Sequence, residues 1–192
     1  MNLIETSFYG VFIIEPKIFS DSRGYFFESY NQALFEKAGL FYSFVQDNES
    51  RSVFGTIRGL HFQRGEFAQA KLVRVLQGRV LDVVVDLRVG SPSFGHHLAI
   101  ELSDENNMQL LIPRGFGHGF AVLSESAVFS YKCDNFYVPE SEGIVRFDDP
   151  DLNIDWLIKK TDILLSEKDK KSPGLKEYCQ SPAFFFSDKK GK

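Results

Sequence analysis

Residues 79–87 read Arg-Val-Leu-Asp-Val-Val-Val-Asp-Leu, a run dense in β-branched and aliphatic residues. Successive side chains of a strand point to opposite faces, so from residue 81 onward the run has one aliphatic face and one face with two aspartates. The aliphatic face carries Leu81, Val83, Val85 and Leu87. The other face carries Asp82, Val84 and Asp86. The aliphatic face is predicted to lie in the core.

Similar runs recur along the chain between turn signals. They cover residues 11–19, 24–30, 55–62, 71–76, 96–102, 108–112, 119–123 and 127–137. Aromatic residues make up 15% of the chain, with 20 phenylalanines, and rings suit a half-buried pleated surface. About nine strands with few helices predict an all-β sandwich or barrel.

Two short peripheral helices are predicted. The first runs from about Gln32 to Ala38, with Asn31 as its N-cap and Gly39 as its stop. The second opens at Ser166 and ends before residue 173, a proline.

The length of 192 residues fits one domain over residues 1–192, with a frayed tail over 187–192. Net charge is −4 with interspersed signs, which argues against duplex nucleic acid as a partner, and no apolar run approaches the length of a membrane helix. Cys133 and Cys179 form no disulfide or metal pattern. A cytoplasmic protein that neither binds nucleic acid nor spans a membrane is expected.

Four histidines are candidates for chemistry. Adjacent His96 and His97 must face opposite sides of a strand, so they are expected to be structural. His118 lies in the glycine-rich run 113–120 and is either a loop histidine bonded to backbone or part of a site. His61 lies in the run 57–63, and a lone strand histidine is usually a satisfied core residue.

The polar residues near His61 in the sequence favour a functional site. Arg58, Gln69 and Lys71 lie within ten residues of it, more polar groups than a packed core tolerates unpaired. They indicate a hydrated cavity that is suited to bind an anion. Regular alternation puts His61 with Ile57 and Gln63 and leaves Arg58 on the opposite face; a bulge at Gly59 would bring Arg58 and His61 together.

Two further residues, Tyr131 and Asp169, each have two readings. Tyr131 is a buried aromatic or a proton donor, on one strand face with Phe129 and Cys133. Asp169 closes a capping box with Ser166, or it orients a histidine. Segments 21–24 and 46–48 read as surface turns.

Metal and hydrolase chemistry lack support in the sequence. There is no His-x-His pair, no cysteine pair, no serine nucleophile elbow and no phosphate-cradling glycine loop before a helix. Neither a metal nor a cofactor is expected.

Taken together, eight ordered segments resemble the dTDP-4-dehydrorhamnose 3,5-epimerase family, whose members have a cupin-like jelly-roll fold. The segments are residues 21–28, 46–50, 57–63, 69–75, 82–88, 112–120, 131–132 and 166–169. The resemblance implies cofactor-free epimerisation of a dTDP-4-keto-6-deoxy sugar at carbons 3 and 5.

The same resemblance implies residue roles. His61 would be the general base, Asp169 its orienting partner, Tyr131 the acid on the opposite face and Lys71 the neighbour of the developing oxyanion. The nucleotide sugar would be bound by Lys71 and by Arg23, Glu28, Gln46, Asn48, Arg58, His118, Tyr137, Glu142 and Lys168. Tyr137 would stack on the thymine. Members are homodimers, so Arg23 and Glu28 are expected to reach the partner's site.

Alternatives remain. A mono-epimerase at carbon 3 or 5 would use the same dyad. A ketoisomerase would be expected to have a second histidine on the face of His61, where this chain has Gln63. A non-catalytic sugar-binding jelly roll would have no need of His61, Asp169 and Tyr131 together.

Overall fold

The computed structural model describes residues 1–187 of the chain. The helices are α1 (Gln32–Lys37), α2 (Glu167–Lys170) and α3 (Leu175–Gln180). The strands are β1 (Asn2–Glu5), β2 (Phe12–Glu15), β3 (Phe19–Asp21), β4 (Gly24–Phe26), β5 (Gln46–Val53), β6 (Ile57–Gln63), β7 (Lys71–Gln77), β8 (Arg79–Asp86), β9 (Arg88–Val89), β10 (His97–Ser103), β11 (Gln109–Ile112), β12 (Phe116–Val122), β13 (Ser126–Cys133), β14 (Glu142–Ile144) and β15 (Phe184–Phe185).

Two antiparallel sheets form the body of the protein, and this confirms the predicted all-β jelly roll. One has the strand order β1-β2-β11-β7-β13-β5 and the other β10-β8-β12-β6-β14. Their facing sides enclose a core that includes Val73, Val84, Phe120 and Phe129. The pair β3 and β4 forms a separate hairpin. The interior between the two sheets is therefore where a buried site can form.

The aliphatic face of β8 packs as predicted. Leu81, Val83 and Val85 lie in a second core with Trp156 and Tyr178 from the C-terminal segment, which covers the outer side of the five-stranded sheet. The opposite face of β8 is also buried, and its aspartates, at positions 82 and 86, are fully enclosed. A strand covered on both sides has no solvent face, so these carboxylates need partners inside the protein.

Both predicted helices are present. The Asn31 side chain accepts a hydrogen bond from the Leu34 amide at 3.3 Å, as an N-cap does, and Ser166 caps α2 in the same way. The helix α3 was not predicted, because its start at Gly174 has no side-chain cap to signal it.

No helix among residues 1–187 is both long and apolar enough to cross a bilayer. Of the predicted frayed tail, Ser187 is exposed and outside regular structure, and residues 188–192 lie outside the described residues. The single-domain organisation stays a prediction.

The predicted bulge at Gly59 is present between β6 and β12. His118 pairs with His61 and Phe120 pairs with Arg58, so two steps on β12 match three steps on β6. The extra residue reverses the alternation of β6, so that Arg58 faces the same side as His61. Ile57 packs in the outer core instead, which corrects the expected alternation that placed Ile57 beside His61.

Gly59 is expected to tolerate no side chain. Its φ is +135°, and a Cβ there would lie 2.5 Å from the Gly119 Cα. Gly59→Ala should therefore lower the free energy of unfolding by about 2–4 kcal/mol, measured by urea denaturation. Gly24→Ala is the matched control, because Gly24 has φ +131° with open space around it. Equal losses in the two variants would contradict the proposed steric clash.

Candidate active site

A polar cavity of about 290 Å³ opens between the two sheets. It is lined by Gln46, Asn48, His61, Phe62, Gln63, Gln69, Lys71, Tyr131, Tyr137 and Glu142. Seven of these were predicted site residues: Gln46, Asn48, His61, Lys71, Tyr131, Tyr137 and Glu142. The five-stranded sheet contributes His61, and the six-stranded sheet contributes Lys71 and Tyr131. The two walls thus present different chemical groups to one space.

His61 is held by Asp169 across 108 residues of sequence. The His61 Nε2 lies 2.6 Å from Asp169 Oδ1, and the Asp169 side chain is only 3% exposed. The Ser166 hydroxyl donates to Asp169 Oδ2 at 2.6 Å and accepts from the Asp169 amide. Asp169 thus both belongs to the helix cap and orients the histidine, so the two readings of its sequence hold together.

The charge of Asp169 follows from these contacts. Burial pushes the pKa of the carboxyl upward, but the hydrogen bonds from His61 and Ser166 outweigh burial, so the pKa lies below its usual value. The carboxylate is therefore ionised near neutral pH and accepts the proton that His61 carries on Nε2. This leaves Nδ1 as the basic atom of His61.

Tyr131 and Lys71 occupy the wall opposite His61. The Lys71 Nζ lies 5.8 Å from the centroid of the Tyr131 ring. Burial raises the pKa of the Tyr131 hydroxyl, which keeps it protonated. Burial also lowers the pKa of Lys71, although its neighbours, Asp82 among them, partly oppose that shift. No acceptor within residues 1–187 lies in hydrogen-bond distance of the Lys71 ammonium, which is thus available to a ligand.

His118 differs from the expectation of a loop histidine bonded to backbone. It lies in β12, is 7% exposed, and its Nε2 contacts the Asp82 carboxylate at 2.9 Å. A buried aspartate on the neighbouring strand offers a stronger acceptor than a backbone carbonyl. The sequence showed Asp82 only as a polar residue on a strand face, so its partnership was missed.

The segment Gln46–Asn48 was wrongly read as a surface turn. It begins β5, whose inward side chains at 46, 48, 50 and 52 are polar. The Gln46 amide nitrogen donates to Asn48 Oδ1 at 3.0 Å, and Gln46 Oε1 accepts from the Tyr137 amide at 3.0 Å. A strand that lines a wet cavity lacks the apolar alternation by which strands are usually found.

The cavity rim carries further predicted residues. The Lys168 ammonium pairs with the Glu142 carboxylate. The Arg58 side chain is exposed at the edge of the same face, and its Nε donates to the Ser52 hydroxyl at 3.1 Å. Gln63 was not proposed as a site residue, yet it lines the cavity and accepts from the Val138 amide at 2.9 Å. Its position two residues after His61 on one strand face was the available signal.

Arg23 and Glu28 do not reach the cavity of their own chain. Arg23 lies in the exposed hairpin turn, where the segment 21–24 was read as a surface turn, and it pairs with Asp21 at 2.6 Å. Glu28 accepts from the Asn31 side chain at 3.0 Å near α1. His96 is exposed and lies just before β10, so only His97 of the adjacent pair belongs to the strand. The predicted substrate contacts of Arg23 and Glu28 therefore need a second chain.

A metal site would need several ligand side chains close together in residues 1–187. Within this part of the chain, no three histidine, cysteine, aspartate or glutamate side chains cluster closely enough to hold a metal ion.

Comparisons with known proteins agree with this site. Residues 5–177 match the family model described as dTDP-4-dehydrorhamnose 3,5-epimerase. The chain is 51% identical to the enzyme of that name from Salmonella typhimurium, over 91% of this chain and 96% of the relative. The fold matches a crystal structure of dTDP-6-deoxy-D-glucose-3,5-epimerase from Legionella pneumophila, in complex with dTDP-4-keto-L-rhamnose, with a TM-score of 0.92 and 45% identity, over 97% of this chain and 98% of that one.

A relative with a different activity shares the fold. A 3′-monoepimerase from Streptomyces bikiniensis, in complex with dTDP-quinovose, matches with a TM-score of 0.86 and 35% identity, over 92% of this chain and 89% of that one. The family model and the 51% identity to a relative settle the membership. This chain belongs to the dTDP-4-dehydrorhamnose 3,5-epimerase family.

Proposed function

We propose that this protein epimerises dTDP-4-dehydro-6-deoxy-D-glucose at carbons 3 and 5 to give dTDP-4-dehydro-L-rhamnose, in dTDP-L-rhamnose biosynthesis. One observation carries the proposal: the imidazole of His61 and the phenol of Tyr131 line one cavity from opposite sheets. Inversion at carbon requires removal of a proton from one side and its return from the other. The two walls of the cavity supply those two groups.

The substrate makes this chemistry accessible. Carbons 3 and 5 both flank the carbonyl at carbon 4, so removal of either hydrogen gives an enolate. His61 takes the proton on Nδ1, and Asp169 stabilises the imidazolium that forms. Tyr131 then donates a proton to the opposite face of the planar carbon. His61 returns its proton to solvent and Tyr131 regains one, so the cycle closes without a redox change.

Lys71 is suited to stabilise the enolate. Its ammonium faces the cavity and has no acceptor within residues 1–187, so it can donate to the oxygen on carbon 4 as negative charge develops there. A donor that strengthens in the transition state contributes about 3–4 kcal/mol by comparison with oxyanion holes.

The rest of the cavity suits a nucleotide diphosphate. Arg58 offers a bidentate cation for the diphosphate at the exposed edge. Tyr137 is 46% exposed at the rim, where its ring is free to stack on a pyrimidine base. We assign substrate contacts at the cavity and its edge to Gln46, Asn48, Arg58, Lys71, His118, Tyr137, Glu142 and Lys168. The contacts of Arg23 and Glu28 would come from a second chain.

The direct test follows the substrate hydrogens. dTDP-4-dehydro-6-deoxy-D-glucose is incubated with the enzyme in deuterium oxide, and proton NMR records the signals on carbons 3 and 5. Loss of both signals with inversion at both carbons is the expected result. Exchange at one carbon alone would select a mono-epimerase, and no exchange with retained binding would favour a sugar-binding module.

We also propose that the protein forms a homodimer. The hairpin β3–β4 presents Phe19, Tyr25 and Phe26, each more than half exposed, beside Arg23. Exposed aromatic residues clustered with an arginine are typical of protein interfaces.

An exposed free thiol at Cys179 is consistent with a reducing cytoplasm as the place of action.

Mixing two inactive variants is expected to restore activity if Arg23 serves the partner's cavity. In a heterodimer of Arg23→Ala and His61→Asn, one cavity has an intact His61 and receives Arg23 from the other chain. About a quarter of all cavities should then be active after random exchange of subunits, measured as kcat per site. Homodimers of each variant are the controls. No recovery in a mixture shown by native mass spectrometry to contain heterodimers would place Arg23 outside the partner's site.

A further inference from the structure

A short segment, residues 135–138, crosses between the two sheets beside the cavity and carries Tyr137. It follows β13 of the six-stranded sheet and leads, through one turn of 3-10 helix, to β14 of the five-stranded sheet. None of its four residues belongs to a helix or a strand. Its backbone groups therefore need hydrogen-bond partners other than those of a regular ladder.

Two glutamines that line the cavity bind consecutive backbone amides of this segment. The Gln46 Oε1 accepts from the Tyr137 amide at 3.0 Å, and the Gln63 Oε1 accepts from the Val138 amide at 2.9 Å. Gln46 lies on β5 of the six-stranded sheet, and Gln63 lies on β6 of the five-stranded sheet. The backbone on either side of the Tyr137 ring is thus held from both walls of the cavity.

The first half of the segment is also held by side chains. The Nε2 of Gln69, a third glutamine that lines the cavity, donates to the Asn135 carbonyl at 2.8 Å. The Asn135 Nδ2 donates to the Glu66 carbonyl at 2.8 Å, and its Oδ1 accepts from the Phe136 amide at 2.9 Å. The three consecutive amides of residues 136–138 therefore all have side-chain oxygens as acceptors.

The aromatic rings of the segment are exposed although its backbone is fixed. Phe136 is 62% exposed and Tyr137 is 46% exposed, whereas the Gln63 that holds the next backbone amide is buried. A ring on an ordered backbone can receive a flat ligand without a further loss of conformational entropy. The hydrogen bonds of the glutamines thus prepare the Tyr137 ring for stacking.

Gln63 also connects the segment to the proposed base. It lies two residues after His61 on β6, and both side chains line the cavity. Residues two apart on a strand face the same side, so the two side chains start from one rigid backbone. The hydrogen bond from Val138 to Gln63 therefore sets the position of the Tyr137 ring relative to the His61 imidazole.

We propose that Gln63 is a positioning residue for the nucleotide: it holds segment 135–138 so that the Tyr137 ring is in place to stack on the pyrimidine base before the substrate binds. Gln63 acts through the Val138 amide rather than through a contact with the ligand. The inference rests on the proposed function for the identity of the base, but the holding of the segment does not.

The expected consequence is a change in binding rather than in chemistry. Without the Gln63 acceptor, the Val138 amide turns to water and the segment samples more conformations. The base must then order the segment when it binds, which weakens binding, while His61 and Tyr131 remain in place. In Gln63→Met, the KM for the nucleotide sugar should rise about tenfold while kcat stays within about twofold.

The holding of the segment is tested in the unliganded protein by hydrogen exchange of backbone amides, followed by NMR. In Gln63→Met, whose side chain has a similar length and no acceptor oxygen, the Val138 amide should exchange about tenfold faster. Gln77→Met is the matched control, because Gln77 is exposed at the end of β7. The amides of β8 report on the fold as a whole. A Val138 rate that is unchanged, or that rises only in step with the β8 amides, would overturn the proposal.

The role in base binding is tested by a double-mutant cycle with dTDP as the probe. Gln63→Met and Tyr137→Ala should each lower the affinity for dTDP about tenfold, and the double variant should bind no more weakly than Tyr137→Ala alone. Inorganic pyrophosphate, which has no base, should bind all four proteins equally.

Two outcomes of the cycle have separate meanings. Losses that multiply in the double variant would show that Gln63 does not act through Tyr137, and would overturn the proposal. If the exchange rates and dTDP affinities are as expected but no substrate hydrogen exchanges in deuterium oxide, the proposed function fails while the role of Gln63 stands.

Discussion

His61→Asn is expected to lower kcat for epimerisation by about 10²–10⁴-fold while the protein stays folded. The side chain is 26% exposed at the cavity wall, so its loss creates no large core void. An asparagine amide at this position is not basic and cannot take a proton from carbon. Steady-state kinetics measures the loss, and urea denaturation checks the fold. A variant that unfolds, with full specific activity in its folded fraction, would show that His61 is a structural core residue.

Asp169 contacts His61 and also belongs to the cap of α2, and two variants separate these roles. Asp169→Asn should lower kcat by about 10²–10⁴-fold, because an amide that donates to Nε2 would favour the wrong tautomer of His61. Ser166→Ala is the matched control, since it removes the cap hydroxyl and costs about 1 kcal/mol of stability, with the carboxylate retained. Equal losses of kcat in the two variants would mean that Asp169 acts only by holding α2 in place.

Tyr131→Phe is expected to separate proton exchange from inversion. The base remains, so deuterium should still enter the substrate at carbons 3 and 5, whereas formation of the inverted product should fall by about 10²–10⁴-fold. Burial raises the pKa of the Tyr131 hydroxyl, so the unsubstituted protein has the acid form available across neutral pH. Proton NMR in deuterium oxide measures both quantities in one sample.

The control for this experiment is Tyr137→Phe. Tyr137 lies at the rim of the cavity and is 46% exposed, so loss of its hydroxyl should leave both exchange and inversion unchanged. Unchanged inversion in Tyr131→Phe would assign the acid to another group. A parallel fall of exchange and inversion would mean that Tyr131 acts before the enolate forms.

Much of the fold could be predicted because it depends on local geometry. Alternation along residues 79–87 and the capping chemistry of Asn31 and Ser166 follow from backbone geometry within a few residues. The strand β5 was not predicted, because its inward residues are polar. A polar strand of this kind can be identified only once the cavity that it lines is known. The helix α3 was not predicted, because the residue at its start, Gly174, has no side chain that could cap it.

Some features of the candidate site could be predicted from the sequence, and others required the structure. The sequence, read with its family resemblance, was sufficient to nominate His61, Lys71 and Tyr131, and the glycine that permits a bulge. The pairing of His118 with Asp82 joins strands in a register that no local pattern reveals. Arg23 and Glu28 were nominated as well, but their distance from the cavity of their own chain is a property of the folded chain alone.

Local patterns along the chain were sufficient to predict the all-β class, the faces of β8 and the residue types that the proposed chemistry needs. The folded chain was required to show that His61 lies 2.6 Å from Asp169 across 108 residues, and that the proposed acid and base approach one cavity from different sheets. This difference follows from the range over which each interaction acts. Propensity and alternation act over a few residues, whereas a hydrogen bond between distant residues needs the whole packed core to set its length.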